Sequence, residues 1–402
     1  MRSIYFDKDI PKVLLVIAIK PFWKDVVISG LSSTYFTDLA EPALPGAQWL
    51  RVKNCACGIC ATDLSIVNVD LHPAIALAAV PGSDRFYLGH EVIGTVIEAG
   101  SDVTDFKVGD RVMMKHTRLT ARNCFSQGIE PVCSHCQSGN ITLCENSSVS
   151  GVTVGVGGGW SDGYTAHETE VYPVPEWMSN DQAVMVEPFA VAVHAVLRRL
   201  PDAGQKVLVV GSGIVGLNVI QVLRALSPEC HISVMARHPQ QVAMAQTFGA
   251  DEIIDSEDGY KATARITDAK LYEWMFDNNM LLGGFDVVYD CVGSSQTLQD
   301  SLRWTKAGGA VVMAGIQFKP SKLDLSPIWY QEVDLVGVHA HGQDNWNGRL
   351  VESFDITVEL MRQGKLTIDG LITHRFPLEQ WREAIQTAQD KSTGAIKVIF
   401  EY

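Results

Sequence analysis

From Lys206 onward the chain alternates short β-branched runs with amphipathic stretches, and nothing else in it limits the fold as strongly. The apolar runs are KVLVVG (206–211), HISVMA (231–236), DEIID (251–255), FDVVYDC (285–291), AVVMAG (310–315) and VDLVGV (333–338). Between them lie LNVIQVLRAL (217–226), QQVAMAQTF before Gly249, and SQTLQDSLRW before Gly308 and Gly309. Gly or Ser-Pro follows each of these stretches, as helix ends require. Six apolar strands joined by helices specify an α/β fold with a doubly wound parallel sheet. The less regular stretch 259–282 also reads as helical. Residues 1–185 differ: Gly and Pro are frequent and strands such as EVIGTVIEAG are short, which suggests an irregular, mostly β domain. The tail ends in a helix, LEQWREAIQTAQ, and a strand, AIKVIFEY, expected to return to that first domain.

The segment Gly211-Ser212-Gly213-Ile214-Val215-Gly216 directly follows the strand KVLVV and opens a helix. Its glycines suit a tight turn, close approach to a pyrophosphate and close helix–strand packing. The helix amino terminus offers free N–H groups to phosphates. The second strand ends in Ala236-Arg237-His238, without the acid that usually holds the adenine ribose of NAD. Arg237 can pair with a 2′-phosphate, which favours NADP over NAD. The alternative is that it stacks on adenine or faces solvent.

The 402 residues carry 46 acids and 32 bases, a net charge of −14. An acidic chain is a poor partner for nucleic acid or an anionic membrane. The run VLLVIAI (13–19), bounded by Lys12 and Lys20, is too short to span a bilayer and lacks a signal-peptide cleavage pattern. It reads as a buried strand. A soluble cytoplasmic protein is expected, with no membrane or nucleic-acid partner.

Nine cysteines, several of them clustered, point to metal ligands rather than disulfides in a chain this long. Cys230 and Cys291 stand apart and read as core residues. Cys57-Gly-Ile-Cys60-Ala-Thr62-Asp63 precedes Gly89-His90-Glu91-Val-Ile-Gly94, with Gly100 and Val103 beyond. Cysteine, histidine and carboxylate are zinc donors. With Val108-Gly-Asp-Arg-Val112 and the glycine loop, the order and spacing of these motifs resemble the zinc-dependent medium-chain alcohol dehydrogenases, over about residues 35–402. The first 30 or so residues look like an extension of that family.

The resemblance implies a GroES-like catalytic domain (1–188), a nucleotide-binding Rossmann domain (189–338), a carboxyl-terminal return (339–402) and an active-site cleft between the domains. It implies Cys60 and His90 as catalytic zinc ligands, and Glu91 as a carboxylate that in some relatives coordinates the metal. Thr62 would relay the substrate proton. Glu187, in VEPFAVAVHA, resembles the "EP…HA" element of polyol, sugar and threonine dehydrogenases, where glutamate is the third ligand directly or through water. The competing reading is a helix amino-terminal acid. Many relatives carry a histidine five residues after the ligand cysteine. Here that position is Ser65, so the relay must continue through Ser65, water or another group. The stretch PAIALAAVP (73–81) either lines a pocket or forms a packed surface loop.

The family's structural zinc pattern is C-x2-C-x2-C-x7-C. Cys133, Cys136 and Cys144 match its last three positions, and Glu130 stands at the first. The fourth ligand is expected to be Cys124, with Glu130 as substitute; with neither, the lobe is metal-free. His135 is expected to point outward. His194 is expected to be satisfied in a domain contact, His339 and His341 to be supporting groups, and His72, His116, His167, His231 and His374 have no constellation. The activity implied is hydride transfer between NADP and an alcohol, with secondary alcohols, polyols, sugars or amino alcohols as substrate and the chain acting as a homodimer or homotetramer. Two rival readings are a zinc-free quinone or enone reductase of the same superfamily and a non-enzymatic dinucleotide-binding protein.

Overall fold

The structure is a computed structural model that describes all residues except 42, 76–84, 116–122, 148–156, 256–258 and 276–277. Most of PAIALAAVP (76–81) and His116 therefore lie outside the described residues. The chain divides into two units, Met1–Glu187 with Leu371–Tyr402, and Pro188–Gly370.

The second unit is built on six parallel strands. Their spatial order is Glu252–Ile254, His231–Met235, Lys206–Val210, Phe285–Asp290, Thr305–Met313 and Asp334–Gly337. In chain order that is 3-2-1-4-5-6, the dinucleotide-binding arrangement with its switch point beside the first strand. Helices Ile214–Leu226, Pro239–Thr247 and Ser295–Trp304 occupy the expected connections. The helix reading of 259–282 needs correction. Gly259–Thr267 is helical, but Lys270–Tyr272 and Met280–Leu282 then pair as an antiparallel hairpin. Three-residue strands are too short to show a period that distinguishes them from helix.

The carboxyl-terminal return also begins later than 339. Residues 339–370 belong to the second unit, as a hairpin (Gln343–Trp346 with Arg349–Glu352) and the helix Ser353–Arg362. Polar ties hold them there. Asp344 accepts from the Ser353 hydroxyl at 2.7 Å and lies 2.8 Å from His194 Nδ1, and Gln221 exchanges two hydrogen bonds with the backbone of Thr367.

The first unit is mostly β. Its main sheet runs Ile372–Pro377, Lys397–Glu401, Trp49–Gly58, Val92–Ala99, Arg111–Met114 and Val171–Pro173, with Gly163–His167 also paired to Trp49–Gly58. Trp160, Tyr164, Trp381 and Phe400 fill its core. The amino-terminal strand Arg2–Asp7 joins Thr34–Asp38 and Arg85–Tyr87 in a smaller sheet.

The reading of VLLVIAI as a buried strand is overturned. Ile10–Ile19 is an α-helix, and Val16 is its one fully buried residue. The Asp9 carboxylate accepts from the Lys12 N–H, and Pro11 occupies the first turn. An Asp cap followed by Pro is a helix start, and here it outweighs the β preference of Val and Ile. Among the described residues no helix is long and apolar enough to cross a membrane.

Candidate metal and nucleotide sites

The strand Trp49–Gly58 runs into Cys60, which caps the helix Ala61–Val67. Its neighbour Val92–Ala99 begins just after His90 and Glu91. Pairing of these strands brings the two motifs together. One sulfur, imidazole nitrogen and carboxylate oxygen from Cys60, His90 and Glu91 all lie within 4.8 Å of one another. Gly89 sits at φ +81°, and a Cβ there would stand 2.4 Å from the Trp160 ring. Only glycine accepts both conditions.

Asp63 organises this cluster. One of its oxygens accepts from the Cys60 N–H at 3.2 Å. The other accepts from the Gly89 N–H at 2.9 Å and lies 3.7 Å from His90 Nδ1. Burial disfavours a His90 cation, but the charges of Asp63 and Cys60 outweigh it and hold the His90 pKa well above its ordinary value. The field that favours a protonated imidazole also favours a bound cation, and the donor set is one that zinc takes.

Thr62 Oγ1 is 3.7 Å from Cys60 Sγ. Ser65 donates instead to the Ala61 carbonyl at 2.9 Å, an intrahelical bond that does not connect it to Thr62. Glu187 is buried in the first turn of Val186–Arg198 but is not part of the 4.8 Å cluster. Burial pushes its pKa up to about 7, with His90 opposing and Glu91 reinforcing the shift.

Sequence reasoning gave no role to Asp63 or to Lys397. Lys397 Nζ donates to both Glu91 oxygens, at 2.7 and 2.6 Å, and both residues are almost fully buried. The signal for it was a lysine inside an otherwise apolar strand, AIKVIFEY, where a charge needs a partner.

The second cluster is a small lobe. Cys124, Cys133, Cys136 and Cys144 place their sulfurs within 4.8 Å of one another. Cys124 thus occupies the fourth position, while Glu130 is exposed and outside the group. The Cys124–Cys144 and Cys133–Cys144 sulfurs are 3.6 and 4.0 Å apart, and all nine cysteines are free thiols. The Cys136 backbone N–H lowers the Cys133 pKa to about 6, whereas burial raises that of Cys144 to about 11. Four converging sulfurs suit a closed tetrahedral zinc site. His135 is partly exposed, 4.0 Å from Glu145.

In the other unit, Gly211 takes φ +91°, and a Cβ on Gly216 would lie 1.9 Å from the Gly211 carbonyl oxygen. Gly213 caps the helix that begins with Ile214 and Val215, without a side-chain bond to its free N–H groups. Ser212 Oγ donates to Gln241 at 3.2 Å. Ala236 is buried and His238 caps the next helix, while Arg237 is exposed between them and pairs with no carboxylate among the described residues. His194 pairs with Asp344, and His341 packs against Phe354 with ring centroids 4.7 Å apart.

A fold of this kind, carrying a Cys–His–Glu cluster in one unit and a glycine-loop Rossmann sheet in the other, defines a metal-assisted, dinucleotide-dependent oxidoreductase. Residues 46–176 match the alcohol dehydrogenase GroES-like domain, and residues 215–355 match the zinc-binding dehydrogenase family. The chain is 30% identical to D-arabinitol dehydrogenase 1 of Uromyces fabae over 350 residues, 86% of this chain and 88% of that one. It is 28% identical to sorbitol dehydrogenase of Arabidopsis thaliana over 357 residues, 88% and 89% of the two chains. Its fold matches 2R,3R-butanediol dehydrogenase from Bacillus subtilis with a TM-score of 0.72 at 23% identity, covering 100% of this chain and 99% of that one. The chain belongs to the zinc-dependent medium-chain alcohol dehydrogenases, in the branch that contains polyol dehydrogenases. It is an alcohol oxidoreductase acting on CH–OH donors with a nicotinamide cofactor.

Proposed function

We propose that the enzyme oxidises a secondary hydroxyl of a polyol or sugar alcohol to a ketone, reducing NADP⁺ to NADPH and releasing one proton. The observation that carries this reading is the Cys60–His90–Glu91 cluster with the Thr62 hydroxyl beside it. When bound, zinc supplies Lewis-acid polarisation of the substrate oxygen and the nicotinamide accepts the hydride. Cys60 and His90 hold the metal, with Glu91 and Glu187 as the nearby carboxylates. Asp63 fixes both ligands: it anchors the Cys60 backbone and faces His90 Nδ1. A carboxylate behind a ligand imidazole sets its tautomer and orientation. Thr62 passes the hydroxyl proton outward. Ser65, bonded to the Ala61 carbonyl, is a poor next carrier, so water continues the relay. The four-cysteine lobe holds a second, structural zinc.

The polyol class is supported by the names of the relatives, and the NADP preference by Arg237, which pairs with no carboxylate among the described residues and stands where an acid would repel a 2′-phosphate. A cytoplasmic homodimer or homotetramer is the working form. The oligomer is supported by the strand Asp334–Gly337, which among the described residues lies at an edge of the six-stranded sheet and follows Trp329 and Tyr330 at 73% and 60% exposure.

The test assays zinc-replete protein with NADP⁺ and NAD⁺ across polyols, aldoses, amino alcohols and aromatic alcohols. Turnover of polyols, faster with NADP⁺ and lost in Cys60→Ala, is expected. Preference for NAD⁺ overturns the role of Arg237. Turnover that survives Cys60→Ala overturns the metal mechanism.

A further inference from the structure

The helix Ile10–Ile19 takes no part in either cysteine-bearing cluster or in the nucleotide loop. Nine of its ten residues are apolar, Lys12 being the exception. Six of the ten are exposed, and all six are apolar. Ile10 and Leu14 are each 60% exposed, and Leu15 and Ile17 nearly half. One turn further on, the Phe22 and Trp23 N–H groups both bond the Ile19 carbonyl, and Phe22 stands 92% exposed beside a half-exposed Trp23. A helix with one wet face ordinarily carries polar residues on it, and a helix apolar all round is ordinarily buried all round.

The helix is held firmly from behind. Lys12 Nζ donates to the Tyr35 hydroxyl at 2.6 Å. Lys20 Nζ donates to the Asn68 carbonyl at 2.7 Å and to Asp70 at 2.9 Å. Val16 joins the same core as Val26, Val27 and Ile28, and Arg382 donates to the Ile28 carbonyl at 2.7 Å. The exposed face is therefore a preformed surface, which spares a partner the entropy of ordering it. Its six large side chains expose on the order of 700 Å². That exceeds the roughly 300–600 Å² of the largest patch on an ordinary monomer. It approaches the roughly 800 Å² that each partner gives to a standard interface.

We propose that this face is an interface between two copies of the chain, whose helices pack on each other across a two-fold axis. Charge selects the occupant. Each copy carries −14, so two copies repel wherever their carboxylates meet. The helix face carries no charge, because Lys12 and Lys20 are turned into their own chain. An apolar face is also complementary to itself, as a two-fold contact requires. Ile10, Leu14 and Ala18 form one i, i+4 row, the kind of ridge that interdigitates with its like on a second helix. A bilayer fits less well. A helix lying on lipid fringes its apolar face with Lys and Arg, and of the four lysines between residues 8 and 24 only Lys24 is exposed. The inference extends the oligomer reading above without resting on the edge strand, since the helix belongs to the first unit and Asp334–Gly337 to the second. Two different two-fold surfaces on one chain make a tetramer.

The experiment is sedimentation of the full-length protein over a range of concentration and salt. Leu14→Glu keeps a good helix former at an exposed position, and circular dichroism checks its fold. It is expected to halve the mass of the assembly and weaken association about 100-fold or more, because it buries two unpaired carboxylates at the contact. Wild-type association through the helix should tighten as salt screens the repulsion between copies. An unchanged mass in Leu14→Glu, or a monomeric wild type, overturns the inference. Should that variant fail to fold, Phe22→Ser decides in the same way. Leu335→Lys, on the edge strand, separates the two readings. If both surfaces are used, it too halves a tetramer, and its combination with Leu14→Glu is a monomer. A wild-type dimer that only Leu14→Glu dissociates supports the helix interface and refutes the edge strand. Flotation with phosphatidylcholine vesicles, with and without phosphatidylserine, completes the test. Vesicle binding that is lost in Phe22→Ser, with the mass of the assembly unchanged, overturns the inference and assigns the face to a bilayer.

Discussion

Substitution of Gly216 by alanine should separate the structural from the ligand-binding work of the glycine loop. The added Cβ would lie 1.9 Å from the Gly211 carbonyl oxygen, so the helix start and the loop must move apart by more than an ångström to reach an ordinary contact. The obstructing atom is backbone at the end of the strand Lys206–Val210 and cannot rotate away. Overpacking of this kind costs about 1–3 kcal/mol. Alanine recovers up to about 1 kcal/mol over glycine inside a helix, so the clash wins by up to about 2 kcal/mol. In a unit spanning Pro188–Gly370 that corresponds to a fall in Tm of up to about 8 °C. Gly213→Ala is the control. Nothing lies within 4 Å of its Cβ, and its φ of −72° suits any residue. Its cost is at most about 1 kcal/mol, from a weaker helix cap. Its methyl group, however, stands at the helix amino terminus where phosphates bind. Thermal melting without cofactor and calorimetric titration with NADP⁺ read the two effects separately. Gly216→Ala should lose both stability and affinity, and Gly213→Ala mainly affinity. Equal Tm losses in the two variants, or none in Gly216→Ala, would refute the close-approach argument.

His167 is buried against Trp49, and burial lowers its pKa to about 4. It stays neutral in the folded chain while the unfolded chain takes up a proton as pH falls through its ordinary value of 6.5. Stability is therefore lost on acidification between those two values. Between pH 7 and pH 5 the loss is about 2 kcal/mol. Denaturant titrations at the two pH values should show that much less pH dependence in His167→Phe than in wild type; equal slopes would sink the assignment. Metal analysis should find two zinc ions per chain, and one in either Cys60→Ser or Cys144→Ser. Only the second of these should also lower Tm, because its zinc ties together a lobe built from two four-residue helices and little else. A single zinc in the wild-type protein would contradict the two-site reading.

The local signals that sequence carries proved reliable where they are periodic. The strand–helix alternation after Lys206 made the parallel Rossmann sheet legible, because strands joined by helical crossovers run parallel, whereas the strand order 3-2-1-4-5-6 is seen only in the folded sheet. The Cys-x2-Cys and Gly-His-Glu spacings pointed to Cys60, His90 and Glu91 and to three of the four lobe cysteines, since zinc donors are few and their chemistry is distinctive. Sequence failed where a weak local preference met a stronger neighbour. VLLVIAI has strand composition, yet Asp9 and Pro11 start a helix there. The choice between Cys124 and Glu130 was open in the sequence because the intervening loop has no period, and only folding shows which side chain reaches the other three sulfurs.

Tertiary structure alone decided what surrounds the ligands. Lys397 and Glu91 are 306 residues apart and meet because the last strand pairs with Trp49–Gly58. Residues 339–370 stay with the second unit through the ties of Asp344 and Gln221, which no spacing records. Spacing within a motif places atoms a few residues apart, whereas partners brought together by sheet pairing share no local pattern, so the clustered donors were readable in the sequence and the distant lysine that meets Glu91 was not.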